Sequence, residues 1–255
     1  MFIKKISVYF CPLILFLGLE LMFYRINLTS IIIILLTLIV ITLIFIKFLV
    51  KSRFLSREYL YLTLSPVLFL ISSAGFLFLL SSDNLRHLSM LVFAFILGMY
   101  LENIFLFFYQ PIHYQQGSLE NFSSFLSLLV FFLAVIDLNS LNIFLNLPIW
   151  SVSLLLIFFI TLLLQQAYWI NKIQYKSKII YLFIINIIML ELFWGISFLP
   201  TNFYISSIVL TIAFYFCWGL VKAKLEGSLG KKIFLQYLAI SSALLLLIII
   251  SSNWI

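Results

Sequence analysis

Three glutamates interrupt long apolar runs of this 255-residue chain, at Glu20, Glu102 and Glu191. A charged residue at the centre of a membrane-spanning helix costs about 2.5 to 3.5 kcal/mol on insertion scales, so such residues usually face the interior of a helical bundle. There they are paired or neutralised, and they often belong to an ion or substrate pathway. These carboxyl groups are therefore the first candidates for chemistry in the sequence.

Depth along the predicted helices separates the three glutamates. At about 1.5 Å per residue from the cytoplasmic end of each helix, Glu20 and Glu191 lie about 20 Å up and Glu102 lies about 10 Å up. Asn186 lies at nearly the depth of Glu102. We predict that Glu102, Asn103, Gln165 and Asn186 form a polar layer that opens toward the cytoplasm and binds a substrate. Glu191 lies deeper than this layer and is a further candidate for substrate binding.

A structural role is the alternative for the same kind of residue. Amide and carboxyl groups inside helical bundles often form interhelical hydrogen bonds worth about 0.6 to 2 kcal/mol without any substrate. Glu20 fits this alternative best, because it lies near the outer end of its helix and Arg25 can reach toward it. His87 and His113 fall in separate connections on opposite sides of the membrane. We find no metal-ligand spacing, phosphate loop or catalytic set, so we predict no metal, no cofactor and no catalytic residue.

The composition indicates a protein that has lipid as its solvent. Hydrophobic residues make up 65% of the chain and charged residues 9%, which leaves no material for a soluble domain. The apolar runs are far longer than a buried strand of about 4 to 8 residues, and they lack the alternation of a lipid-facing barrel. We predict an all-α integral membrane protein, a polytopic helical bundle in which residues 1–255 form a single transmembrane domain.

Nine apolar runs are long enough to cross a membrane. A hydrocarbon core of about 30 Å needs about 20 helical residues. The predicted transmembrane helices cover residues 6–24, 28–50, 59–81, 88–109, 121–138, 149–169, 178–199, 203–223 and 233–251. The stretch from Leu138 to Pro148 is expected to lie along the outer interface, and the longest polar connection runs from Gln110 to Glu120.

The placement of lysine and arginine predicts the orientation of these helices. With the N-terminus inside, every lysine and arginine except Arg25 and Arg86 falls on the cytoplasmic side, where cations near helix ends are retained. If one helix were added or left out, the lysines and arginines that follow it would fall on the other side of the membrane and the asymmetry would be lost. We therefore predict a multi-pass protein of the plasma (cytoplasmic) membrane, with the N-terminus in the cytoplasm and the C-terminus outside.

The same cations predict the partners of the chain. The formal net charge is +7, but the lysines flank apolar helices and form no basic domain, which argues against a nucleic-acid partner. Besides the lipid bilayer itself, we expect anionic lipid headgroups to contact the cytoplasmic connections. Flat surfaces of Leu, Ile and Phe also allow another membrane protein to dock.

Three function classes stay open. A non-catalytic or accessory membrane component comes first, since the chain lacks catalytic motifs. A small-solute or proton-coupled transporter that uses the intramembrane glutamates comes second. An enzyme acting on a lipid-linked substrate comes third, because such chemistry usually needs a metal-binding carboxylate cluster or an arginine fork.

Overall fold

All regular secondary structure in the described part of the chain is α-helical. The structure, a computed structural model, describes residues 2–24, 27–50, 56–173, 175–199 and 202–251. These residues form nine α-helices of 21 to 28 residues and no strand. All nine are long and apolar enough to cross a membrane, which confirms that part of the prediction. Arg25, Lys51 and Arg53, which enter the predicted charge pattern, lie outside the described residues, as does the side chain of Lys176.

The helices agree with the predicted spans except at a few ends. Their bounds are α1 (Phe2–Tyr24), α2 (Leu28–Leu49), α3 (Arg57–Leu79), α4 (Asp83–Tyr109), α5 (Ser118–Leu145), α6 (Ile149–Ile170), α7 (Tyr175–Ser197), α8 (Phe203–Leu225) and α9 (Lys231–Ser251). Ser56 caps α3, because its hydroxyl accepts a hydrogen bond from the Tyr59 backbone N–H at 3.3 Å.

The end of α5 differs most from the prediction. The helix continues to Leu145, so the predicted end of the fifth span at residue 138 is wrong. The position expected for Leu138 to Pro148 along the outer interface stays a prediction. Polar side chains do not end the helix here, because they find partners: the Ser140 hydroxyl donates to the Asp137 carbonyl at 2.7 Å. The helix stops where Asn146 takes a left-handed backbone conformation, with φ at 50°. Asp137 therefore lies inside a helix and not at its end.

The chain divides into two compact units, Met1–Val130 and Phe131–Ile255, which we call the first and second unit. In the first unit, α1 packs against α4 and α2, and α2 packs against α3. In the second unit, α6, α7, α8 and α9 pack as successive neighbours. The part of α5 in the second unit stacks on α8 through Phe131 and Phe214, whose ring centroids are 4.4 Å apart. The single domain stays a prediction.

The pairing of α1 with α4 holds the first unit together. Near the middle of both helices, Gly98 lies directly against the ring of Pro12, and a Cβ atom at Gly98 would lie 2.9 Å from the Pro12 Cγ. At one end of the pair, Lys4 donates a hydrogen bond to the Tyr109 hydroxyl. Further along α4, the fully buried Tyr100 donates to the Leu62 carbonyl of α3 at 2.8 Å. Small and polar residues thus bring these helices into close contact.

Replacing Gly98 by leucine should force α1 and α4 apart, because the new side chain would overlap the rigid ring of Pro12. Overpacking of this kind costs about 1–3 kcal/mol. We expect Gly98→Leu to lower the thermal unfolding temperature of the purified protein. Gly195→Leu is the matched control, since nothing lies within 4 Å of a Cβ at that helical position. Equal melting temperatures for the two variants would contradict the close contact.

Candidate functional site

The predicted polar layer divides between the two units. Glu102 and Asn103 belong to α4 of the first unit, whereas Gln165, Asn186 and Glu191 belong to α6 and α7 of the second unit. Each half is therefore described by itself. That these five residues bind a substrate stays a prediction.

In the first unit, Asn103 holds the start of α5 against α4. Its side-chain amide donates to the Met99 carbonyl at 2.8 Å, and its Oδ1 accepts a hydrogen bond from the Ser118 hydroxyl. Glu102, the next residue, has an exposed side chain. Asn103 is thus used for structure, while the carboxyl group of Glu102 points away from the packed core.

The connection between α4 and α5 is ordered by one tyrosine. The Tyr114 hydroxyl donates to a Glu120 carboxylate oxygen at 3.0 Å and accepts a hydrogen bond from the Leu119 backbone N–H at 3.1 Å. Burial raises the pKa of Tyr114, and the Glu120 carboxylate raises it further, while the Leu119 N–H partly opposes the shift. Tyr114 therefore stays protonated at neutral pH and keeps donating to Glu120.

In the second unit, Asn186 connects α7 to α6. Its buried amide donates to the Leu182 carbonyl at 2.9 Å and to the Thr161 hydroxyl at 3.3 Å. Its Oδ1 is buried and has no hydrogen-bond partner among the described residues. Gln165, one turn along α6 from Thr161, is exposed, as is Glu191 of α7. Of the three predicted residues in this unit, only Asn186 faces the packed interior.

Asp137 is a fourth acidic residue that lies more than three residues from the ends of its helix, and it was not among the predicted site residues. The Oδ1 atom of Asp137 in α5 is buried and has no hydrogen-bond partner in the described part of the chain. Unpaired carboxyl groups inside helical bundles are costly and are typical of proton or ion sites. The predicted end of the fifth span at residue 138 placed Asp137 near water. The sequence stays compatible with a helix without interruption up to Leu145, and this signal could have revealed that Asp137 lies inside a helix.

Two hydrogen bonds between helices lie near the same end of the second unit. The Asn139 amide of α5 donates to the Ser207 hydroxyl of α8 at 3.0 Å. The Trp194 indole N–H of α7 donates to the Ser153 hydroxyl of α6 at 2.7 Å. Asp137 thus lies in the same turn of α5 as Asn139, whose amide has a partner, yet its own Oδ1 atom has none among the described residues.

A charged cleft of about 530 Å³ lies where α1 ends and α4 begins, in the first unit. The His87 Nδ1 is 2.6 Å from a Glu20 carboxylate oxygen. The Arg86 guanidinium donates to Asp83 at 2.7 Å and to the Leu80 carbonyl at 2.7 Å. Each carboxylate in this cleft therefore has a nitrogen partner, and the arrangement ties α1 to α4.

Two sequence-based interpretations change at this cleft. The sequence predicts His87 in a connection, but α4 begins at Asp83 and includes His87 in its second turn. The sequence also offers Arg25 as the neighbour of Glu20. Arg25 lies outside the described residues, and the structure instead pairs Glu20 with His87. A structural role for Glu20 agrees with this pairing.

Ligands for a metal ion do not cluster in the described ranges. No group of three or more His, Cys, Asp or Glu residues is found among the residues that the structure describes. Cys11 and Cys217 are both free thiols.

Comparison with known proteins identifies a family. The family described as "Protein of unknown function (DUF5656)" matches residues 12–251, so the chain belongs to the DUF5656 family. No curated protein and no solved structure matches the chain. Because the matched residues run from α1 to α9, the family includes both units.

Replacing Asp137 by leucine should stabilise the fold, because the substitution removes a buried oxygen that has no partner. Leaving such a group unsatisfied costs about 1–3 kcal/mol. We expect a higher free energy of unfolding for Asp137→Leu, measured by denaturation in detergent. Asn139→Leu, which removes the bond to Ser207, should lower it by about 1 kcal/mol. A destabilised Asp137→Leu protein would show that the carboxylate has a stabilising partner.

Proposed function

We propose that this member of the DUF5656 family is a multi-pass plasma-membrane protein whose nine helices all cross the bilayer, with the N-terminus in the cytoplasm and the C-terminus outside. The positions of the cations support this orientation. Among the lysines and arginines with described side chains, only Arg86 lies at the outer helix ends. The others lie at the opposite ends: Lys4, Lys5, Lys47, Arg57, Lys172, Lys178, Lys222, Lys224, Lys231 and Lys232.

We further propose that the protein is a non-catalytic component that assembles with another membrane protein. The observation that supports this is the position of Glu191 on an exposed, otherwise apolar stripe of α7. Ile184, Ile187 and Ile188 are exposed and lie seven, four and three residues before Glu191, which places all four on one helical face. Glu191 lies six residues before the end of α7, about 9 Å from it.

A second glutamate repeats this arrangement in the first unit. Leu91, Phe95 and Met99 are exposed on α4 and lie on one stripe with the exposed Glu102. Glu102 lies seven residues before the end of α4, which is about 10 Å from it. Both carboxyl groups are therefore placed within helices of membrane-spanning length, on faces that the described residues leave uncovered.

Exposed carboxyl groups this far inside the ends of membrane-spanning helices favour a polar partner. A carboxyl group in hydrocarbon is costly, and its cost falls when another helix supplies a hydrogen-bond donor or a cation at the same depth. The proposed partner is therefore a transmembrane helix of another protein that carries Lys, Arg or an amide side chain facing Glu191. Interhelical contacts of this kind suit a scaffold or an accessory subunit.

Proton-coupled transport is the second candidate function, and Asp137 is the observation that favours it. Its buried carboxylate oxygen has no partner among the described residues and is free to bind a proton. Transport would require that this proton be exchanged with both sides of the membrane. The accessory function does not require it.

The partner can be tested by crosslinking in membranes. A photoreactive residue at Ile188, on the Glu191 stripe, should give a crosslinked product with a different protein. Glu191→Leu should reduce that product about 3- to 25-fold, which corresponds to the loss of an interhelical hydrogen bond of about 0.6 to 2 kcal/mol. Glu226→Gln is the matched control, because Glu226 is exposed at the C-cap of α8, outside the helix.

Three results would contradict the accessory function. If only the uncrosslinked monomer is recovered, the experiment argues against a partner protein. If the only product contains two copies of this chain, the contact is self-association and not binding to another protein. Proton uptake by proteoliposomes that is lost in Asp137→Asn would establish transport instead.

The orientation can be tested at the two ends of α4. In a protein that lacks Cys11 and Cys217, we expect a membrane-impermeant thiol reagent to label Asn84→Cys in intact cells. Gln116→Cys should react only after the membrane is disrupted. Both positions are exposed, so accessibility from one side is the only difference between them. Labelling of both in intact cells, or the reverse pattern, would contradict the proposed orientation.

A further inference from the structure

A cleft of about 490 Å³ lies between α8 and α9, at the ends that residues 226–230 connect. Its polar lining residues include Lys222, Gln236 and Tyr237, and its apolar lining residues include Ile233 and Ile240 of α9. The cleft therefore offers both polar and apolar side chains to the same ligand.

Close packing of α9 on α8 forms the floor of this cleft. A Cβ atom at Gly219 would lie 2.2 Å from the Tyr237 Cε1, so only glycine allows the ring to lie on the α8 backbone. The Tyr237 ring also contacts Tyr215, with centroids 5.4 Å apart. Packing thus holds the ring of Tyr237, a lining residue whose hydroxyl is of a type that can donate to a ligand.

The surroundings of the cleft carry excess positive charge. Lys222 and Lys224 lie in the last turn of α8, and Lys231 and Lys232 begin α9. One acidic residue, Glu226, lines the cleft, and its carboxylate is 3.9 Å from the Lys222 Nζ, at the outer limit of an ion pair. Both groups are partly exposed, so this pair is weak and an anion can compete for Lys222.

We propose that this cleft binds the headgroup phosphate of an anionic phospholipid. The Lys222 ammonium would contact the phosphate, and the Tyr237 hydroxyl and the Gln236 amide would donate hydrogen bonds to it. Ile233 and Ile240 would contact the apolar part of the same lipid. A lipid from the cytoplasmic leaflet would contact the polar and the apolar lining residues at once, whereas inorganic phosphate would contact only the polar ones. This inference rests on the proposed orientation, which places these helix ends at that leaflet.

Lipid binding can be measured on the purified full chain by native mass spectrometry. The probes are phosphatidylglycerol and phosphatidylcholine, titrated separately. We expect tighter binding of phosphatidylglycerol and a fivefold loss of its affinity in Lys222→Gln, since each lysine near an anionic surface contributes about 1 kcal/mol. Lys5→Gln is the control, because Lys5 is an exposed cation at the start of α1 and does not line this cleft.

A second variant removes the hydrogen bond and keeps the packing. Tyr237→Phe leaves the ring against Gly219 and should weaken phosphatidylglycerol binding about fivefold, with an unchanged melting temperature. Equal losses in Lys222→Gln and Lys5→Gln, or equal binding of both lipids, would overturn the proposal. If inorganic phosphate at the same concentration displaces the lipid, the cleft binds free phosphate and the proposal of a lipid ligand is wrong. No protein partner takes part in these measurements, so their failure is distinguishable from failure of the accessory function.

Discussion

Under the membrane placement that we propose, the absence of water from the hydrocarbon core is the constraint on which the rest of the structure depends. Every polar group placed there must find a partner inside the protein. The helical backbone satisfies its own N–H and C=O groups, and many hydroxyls are satisfied on their own helix. Thr42, for example, donates to the Leu38 carbonyl at 2.8 Å, and Ser127 donates to the Ser123 carbonyl at 2.9 Å. Hydroxyls of this kind cost little. The carboxyl groups cannot be satisfied in this way, because an ionised carboxylate only accepts hydrogen bonds.

The four acidic residues that lie away from the helix ends meet this constraint in three ways. Glu20 pairs with His87, and the pair joins α1 to α4 in the first unit. Asp137 keeps a buried oxygen without a partner in the described part of the second unit. Glu102 and Glu191 lie on exposed apolar stripes of α4 and α7. The first arrangement stabilises the fold by itself. The other two leave a group to be satisfied by a proton or by another molecule, and these groups carry the proposed functions.

The helices could be predicted well because the information is local. Length and hydropathy over about 20 residues identify a membrane-spanning helix without knowledge of its neighbours. The predicted helix bounds failed at the end of α5 and at the start of α4. Asn139 and Ser140 come directly after the predicted end of the fifth span, yet α5 continues past them, and Ser207 of α8 and the Asp137 carbonyl accept their hydrogen bonds. In the same way, Asp83 opens α4 ahead of the predicted start and brings His87 into the helix.

The sequence by itself determined that the described residues form nine apolar helices, and it predicted their orientation from the cations at their ends. It also identified Asn186 as a polar residue inside the bundle, although not as the link to Thr161. Only the tertiary structure decided which face of each helix is buried and which side chains become partners. When a helix is apolar on all sides, its hydropathy does not indicate which face is buried. The sequence therefore could not place Glu102 and Glu191 on exposed faces. Packing assigns those faces, because it depends on contacts between residues far apart in the chain.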